Sequence, residues 1–176
     1  MAASRQDKDY VHLVTNWLTT HHEHVFSLAY NFSIWETQSH DRAQLLKDLD
    51  SKLDPKIDLI TIQLSENAND LSTFSKDLID LINYIHTHCP HAKILLIDDF
   101  WDNNKASIKS QVATQTHVDF ISLDAVRNNP TAQCGLGTTV FGDDGTPHKV
   151  EHQGVAVHPG DSGMQYIANQ IISVLS

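Results

Sequence analysis

Glycine is absent from the first 134 residues of this 176-residue chain; all seven glycines follow Cys134, five of them between Gly135 and Gly154. Glycine in early strand-to-helix turns lets a backbone approach a phosphate or cofactor closely. Its absence argues against a phosphate-cradling enzyme, or places the start of such a domain outside the chain. Cysteine is also scarce. Cys89 and Cys134 are too few for a disulfide framework, so the redox compartment stays open. Basic residues number 12 against 22 acidic ones, a net charge of −10 that repels phosphate backbones and excludes a nucleic-acid partner. No apolar run approaches the roughly 20 residues that span a bilayer. Met1–Asp9 is polar and no apolar stretch follows it, so no signal peptide is read and the location stays unknown. No cofactor motif is present, and none is expected.

What remains is an alternation of helical and strand patterns in a chain sized for one domain, residues 1–176. Ser4 and Asp7 form an S-x-x-D start, and Tyr10, Val11, Leu13, Val14, Trp17 and Leu18 mark one helical face. Val25–Tyr30 reads as a buried strand, and Ala43, Leu45, Leu46, Leu49 and Leu53 as a short helix closed by Pro55. Ile57–Leu64 is a β-branched apolar run, expected as a central parallel strand. Phe74, Leu78, Leu81, Ile82 and Ile85 predict an amphipathic helix ending before Pro90, and Lys93–Ile97 the next strand. A weak helix around Ile108–Ala113 precedes a strand at Val118–Leu123. Residues 124–160 read as a long glycine-bearing loop, and Asp161 as the cap of a last helix. Such a pattern builds a parallel sheet covered by helices, with function at the strands' carboxyl ends.

Four stretches sit at such ends or in the long loop. His158, in V-A-V-H-P-G-D-S-G-M, is held beside Pro159 at a loop–helix junction, where an imidazole suits general-base work. An ordinary exposed loop histidine is the competing reading. Ser65-Glu66-Asn67 follows the strongest strand, and an asparagine amide there can donate to a developing oxyanion. Asn67, Asn69 and Asp70 could equally cap the segment from Leu71 onward. Asp98-Asp99 are paired carboxylates that point to opposite faces, and Trp101 beyond them can line a pocket or pack at a rim. Asp143-Asp144-Gly145 is a turn sequence. His21/His24 and His88/His91 have helical spacing, but the second pair straddles Pro90. Apart from Cys89 neither has a thiol or carboxylate at closed-site spacing, so no metal is expected.

The order strand–S-E-N, strand–D-D-F-W, strand, long loop, then H-P-G-D-S-G-M-Q-Y-I-A resembles the SGNH hydrolase superfamily over nearly the whole chain. His158 to Ala168 resembles its final histidine block, Ser65-Glu66-Asn67 a G-x-N block with serine for glycine, and Asn31–Glu36 a second block without its glycine. The resemblance implies a three-layer α/β/α sandwich with a flavodoxin-like parallel sheet, and a lipase- or esterase-like activity that often removes acyl groups from carbohydrate. His158 would be the general base, Asn67 an oxyanion donor, and Ser65, Glu66 and Trp101 would face a small-molecule or glycan ester.

Two departures accompany the likeness. Nothing before Tyr10 resembles the G-D-S or G-N-S block that supplies the nucleophile and the central first strand. The resemblance therefore places Met1 at an internal position of the domain, with any export signal in the missing leader. Ser33, in N-F-S-I, is the candidate substitute nucleophile. The acidic position three residues before the histidine holds Val155, which leaves orientation of His158 to a backbone carbonyl or to Glu151, Asp143 or Asp144. The expected activity is a weak or lost esterase; the alternative is a non-catalytic ligand-binding or interaction domain. A missing central strand predicts that Val25–Tyr30 pairs with Ile57–Leu64, or that a second copy fills the exposed sheet edge.

Overall fold

A computed structural model describes residues 3–142 and 145–176. The chain forms two compact units, Asn31–Ser122 and the combination of Met1–Tyr30 with Leu123–Ser176.

The unit Asn31–Ser122 is built on a three-stranded parallel sheet of β1 (Leu59–Ile62), β2 (Lys93–Ile97) and β3 (Asp119–Ile121), in that order. Leu59 pairs with Lys93 and Ile62 with Leu96; Leu95 pairs with Asp119 and Ile97 with Ile121. The central strand is therefore Lys93–Ile97, not Ile57–Leu64. The burial explains the order: Ile94, Leu95, Leu96 and Ile97 are all buried, as a strand flanked on both edges demands, whereas Leu59, Ile60 and Thr61 are only half-buried. Helix α4 (Phe74–His88) joins β1 to β2, and α5 (Ala106–Thr116) joins β2 to β3. The apolar stripe Phe74, Leu78, Leu81, Ile82 and Ile85 on α4 shares one core with Ile62, Leu64, Ile94 and Leu96. Each such fully buried side chain contributes about 1.5–3 kcal/mol. Ahead of the sheet lie two short helices, α2 (Ser33–Thr37) and α3 (Arg42–Leu45), the latter continued as a 3-10 turn over Leu46–Leu49.

In the other unit, α1 (Tyr10–Thr19) packs on α7 (Asp161–Leu175). The cap of α1 is Asp9, whose carboxylate accepts the His12 N–H at 2.9 Å, rather than Ser4. Asp161 is not the cap of α7 either; Gly160 precedes the helix. The Asp161 carboxylate instead accepts the Ser4 N–H and Oγ–H at 2.7 Å and the Lys8 ammonium at 2.6 Å, tying the start of the chain to α7. The expected long loop contains an antiparallel pair, β4 (Thr139–Phe141) with β5 (Pro147–Lys149), and the one-turn helix α6 (Gln153–Ala156). Asp143 and Asp144 lie outside the described residues.

Val25–Tyr30 is not a strand and does not pair with Ile57–Leu64. It runs without regular structure, with Phe26 96% and Leu28 69% exposed. Strand propensity is realised only where a ladder and a packing face receive the segment, and β1 pairs with β2 alone among the described residues. No described helix is long and apolar enough to cross a membrane. Phe26→Ser and Leu28→Ser are expected to change urea-unfolding stability by no more than about 0.5 kcal/mol, against about 2–5 kcal/mol for Leu95→Ala in the central strand. A loss above 2 kcal/mol in either serine variant would restore the buried-strand reading.

Candidate functional site

The carboxyl ends of β1 and β2 carry most of the buried polar chemistry of their unit. Ser65 follows β1 with φ 115°, a backbone region that glycine adopts freely and other residues do not. Its side chain is completely buried. Ser65 Oγ donates to Asp99 Oδ1 at 2.6 Å and accepts from Lys109 Nζ at 3.2 Å. Lys109 also donates to Asp99 Oδ1 at 2.9 Å and to the Leu64 carbonyl at 3.0 Å. An ammonium has three protons, and this one has three acceptors. Lys105 approaches the second Asp99 oxygen at 3.3 Å and Asp102 at 3.5 Å. The Ser65 hydroxyl, expected beside a substrate, is engaged by Asp99 and Lys109.

Neither lysine belongs to a motif legible in the sequence. Lys109, Val112, Ala113 and Thr116 stand at i, i+3, i+4 and i+7 and are all buried. A lysine on the core stripe of a helix, beside a strand ending in Asp98-Asp99, was the available signal.

Glu66 is half-buried, with Oε1 accepting the Phe100 N–H at 2.7 Å. Burial raises its pKa to about 7; the Phe100 N–H opposes this, while the neighbouring charges of Asp99 and Glu36 add to it and Lys109 subtracts. Asn67, the expected oxyanion donor, directs its side-chain amide to Glu36 Oε2 at 2.6 Å. Glu36 is buried and reaches back from α2, whose last carbonyls are gripped by the buried Arg42: Nε to Trp35 O at 3.0 Å and Nη2 to Glu36 O at 3.3 Å. Arg42 also donates to Asp70 O and Asp77 Oδ2, both at 3.2 Å, so one guanidinium ties α2, the loop after β1 and the first turn of α4 together. Trp101 is half-buried just beyond β2. Ser33, at the start of α2, is exposed; its N–H donates to Asn31 Oδ1 at 3.0 Å and its hydroxyl makes no hydrogen bond among the described residues.

His158 belongs to the other unit, just past α6. Its Nδ1 lies 2.8 Å from the Gly154 carbonyl, which can only accept. The proton therefore sits on Nδ1, and Nε2 is the basic nitrogen. The imidazole is thus oriented by a backbone carbonyl, and Val155 carries no carboxylate. Burial pushes the imidazole below its usual pKa, and the carbonyls of Gly154 and Val155 partly oppose this. The loop is held from the far side: the His158 carbonyl accepts the Cys134 N–H at 2.8 Å, and the Gly160 N–H donates to Ala132 O at 2.9 Å. A Cβ on Gly160 would stand 2.8 Å from the Gln133 carbonyl oxygen, so no other residue fits there without displacing the backbone. A hollow of about 250 Å³ opens at the start of α7, walled by Ser4, Thr131, Cys134, Gly160, Asp161 and Ser162 among others; His158 is not in its wall.

No group of three or more metal-ligating side chains forms among the described residues. His21 and His88 are each engaged locally instead: their rings pack at 4.3 Å on Trp17 and Tyr84, and their Nδ1 atoms bond the carbonyls of those same residues. Comparison with protein-family models, curated proteins and solved structures finds no match to this chain.

The Glu66 environment generates a pH dependence with a definite sign. The folded state holds this proton up to about pH 7 and the unfolded chain only to 4.5, so folding is weakened as pH rises through that window. The expected loss attributable to Glu66 is up to about 3 kcal/mol. Glu66→Gln, which keeps an acceptor for the Phe100 N–H, should abolish it, so the variant gains on the wild type between pH 5 and pH 8 in urea titrations. Equal slopes for both proteins would show that Glu66 titrates normally.

Proposed function

We propose that this chain is a vestigial ester hydrolase of the SGNH type, carrying the three-layer α/β/α plan with a ligand-binding or interaction role and little acyl-ester turnover of its own. The observation that carries the proposal is the Asn67 amide, bonded at 2.6 Å to the carboxylate of Glu36. In the mechanism the resemblance implies, a serine attacks an ester carbonyl, His158 Nε2 takes its proton, and Asn67 steadies the oxyanion. A carboxylate on the Asn67 amide opposes the last step twice. It consumes a donor worth about 10²–10³ in turnover, and it sets a negative charge beside the place where negative charge develops.

The likeness to the family has further support in Ser65. The family pattern has glycine at that position, and the backbone there keeps a glycine-type φ of 115° although the residue is serine. His158, with its proton fixed on Nδ1, retains the tautomer a general base needs. Ser33 has neither a base nor an oriented hydroxyl among its hydrogen bonds, which supports loss of turnover over a substituted nucleophile. The ligand class implied is an acyl ester of a small molecule or glycan.

A p-nitrophenyl acetate assay on the wild type, His158→Ala and Ser33→Ala tests the proposal. The expected result is a wild-type rate near the uncatalysed background, changed less than about twofold by either substitution. Robust hydrolysis abolished by both would establish a Ser33–His158 esterase and overturn the vestigial reading.

A further inference from the structure

Glu36 is held the way a bound carboxylate is held. Its Oε1 accepts the Ser65 N–H at 2.5 Å, and its Oε2 accepts the Asn67 N–H at 3.3 Å and the Asn67 side-chain amide at 2.6 Å. Both oxygens are engaged by N–H donors, and no lysine, arginine or histidine forms an ion pair with the carboxylate among the described residues. Only 5% of Glu36 is exposed. Converging N–H donors of this kind favour a charged acceptor and discriminate by geometry rather than by net charge. Their place in the fold is also where ligands bind in parallel sheets, at the carboxyl end of a strand.

The delivery of the carboxylate is fixed as well. The helix bearing Glu36 has five residues, and Arg42 holds the carbonyls of Trp35 and Glu36 at 3.0 and 3.3 Å. The backbone of Ser65 is locked into its unusual φ by the bonds of its hydroxyl to Asp99 and Lys109, which aims its N–H at Glu36. Donors and acceptor are therefore positioned by separate devices, one on each side of the contact.

We propose that Ser65–Asn67 form a carboxylate-binding nest whose resident ligand is the chain's own Glu36 side chain, and that removing this side chain opens the nest to a small external monocarboxylate. Binding, not turnover, is the property at issue, so the inference stands or falls separately from the esterase reading.

The test uses the full chain and two probes, sodium formate and sodium acetate, with sodium chloride as the ionic-strength control. Glu36→Ala should be less stable than wild type, and its thermal midpoint should rise saturably with either probe beyond the chloride control. Wild type should show no rise beyond chloride, because the nest is occupied. Adding Asn67→Ala to Glu36→Ala should weaken the apparent affinity by at least about tenfold. A Glu36→Ala response no greater than chloride, or an equal response in wild type, overturns the proposal. Should Glu36→Ala not fold, Glu36→Gln keeps the shape and removes the charge. The backbone amide protons of Ser65 and Asn67 must then move upfield in NMR spectra, and unmoved resonances overturn the proposal equally.

Discussion

A lysine ammonium with no exposure to solvent ties together the carboxyl ends of β1 and β2. Lys109 reaches from α5 to the Leu64 carbonyl, the Ser65 hydroxyl and Asp99, and so couples the helix that joins β2 to β3 with the turns that leave β1 and β2. Taking such a pair out of water costs several kcal/mol per ion, and the cost is recovered only when geometry and hydrogen bonding are nearly complete. Here the ammonium is fully satisfied, and Lys105 adds a second positive charge beside Asp99. Because this lock fixes Ser65, it also fixes the N–H groups that meet Glu36. Buried charge, strained turn and occupied nest form one connected arrangement.

The glycine shortage acquires a physical meaning in that arrangement. Three described non-glycine residues have positive φ, Ser65, His117 and Asn128, and all three lie in the glycine-free part of the chain. His117 ends α5 in the left-handed conformation, its N–H shared between Ala113 and Thr114 carbonyls, a role usually given to glycine. At Ser65 the cost of such a backbone is about 1–3 kcal/mol. Two hydrogen bonds to charged partners, each worth about 1.5–3 kcal/mol, are sufficient to hold it. The chain thus adopts glycine-type conformations without glycine, and at position 65 the serine hydroxyl is bonded in the core to Asp99 and Lys109.

Legibility in the sequence followed the kind of information each segment needed. Lys93–Ile97 and the stripe from Phe74 to Ile85 were readable because their patterns are local and both are satisfied by burial. Val25–Tyr30 has the same β-forming composition, yet nothing in six residues states whether a ladder is there to receive them; it lies open to solvent. Central and edge positions were likewise invisible, because strand order is a property of contacts between segments far apart in the chain. Among the candidate residues, His158 and Asn67 stand out in the sequence by their place beside strands and helices. The partners that decide what they do are not legible there: the Gly154 carbonyl is backbone, and Glu36 lies 31 residues before Asn67. Lys109 differs from these partners, since its place on a buried stripe is written in helical periodicity.

The dependence of this unit on the buried lysine is most directly measured in Lys109→Met, which keeps the aliphatic bulk and removes the charge. Urea unfolding at neutral pH should show a loss of about 3–5 kcal/mol, the scale expected when one partner of a buried ion pair is removed. Amide exchange at Ser65 and Asn67 should accelerate in step with it, because their turn is held through the lysine. A loss below about 1 kcal/mol with unchanged protection at these two amides would mean that the turn and the Glu36 contact stand without the lock, and would contradict the account.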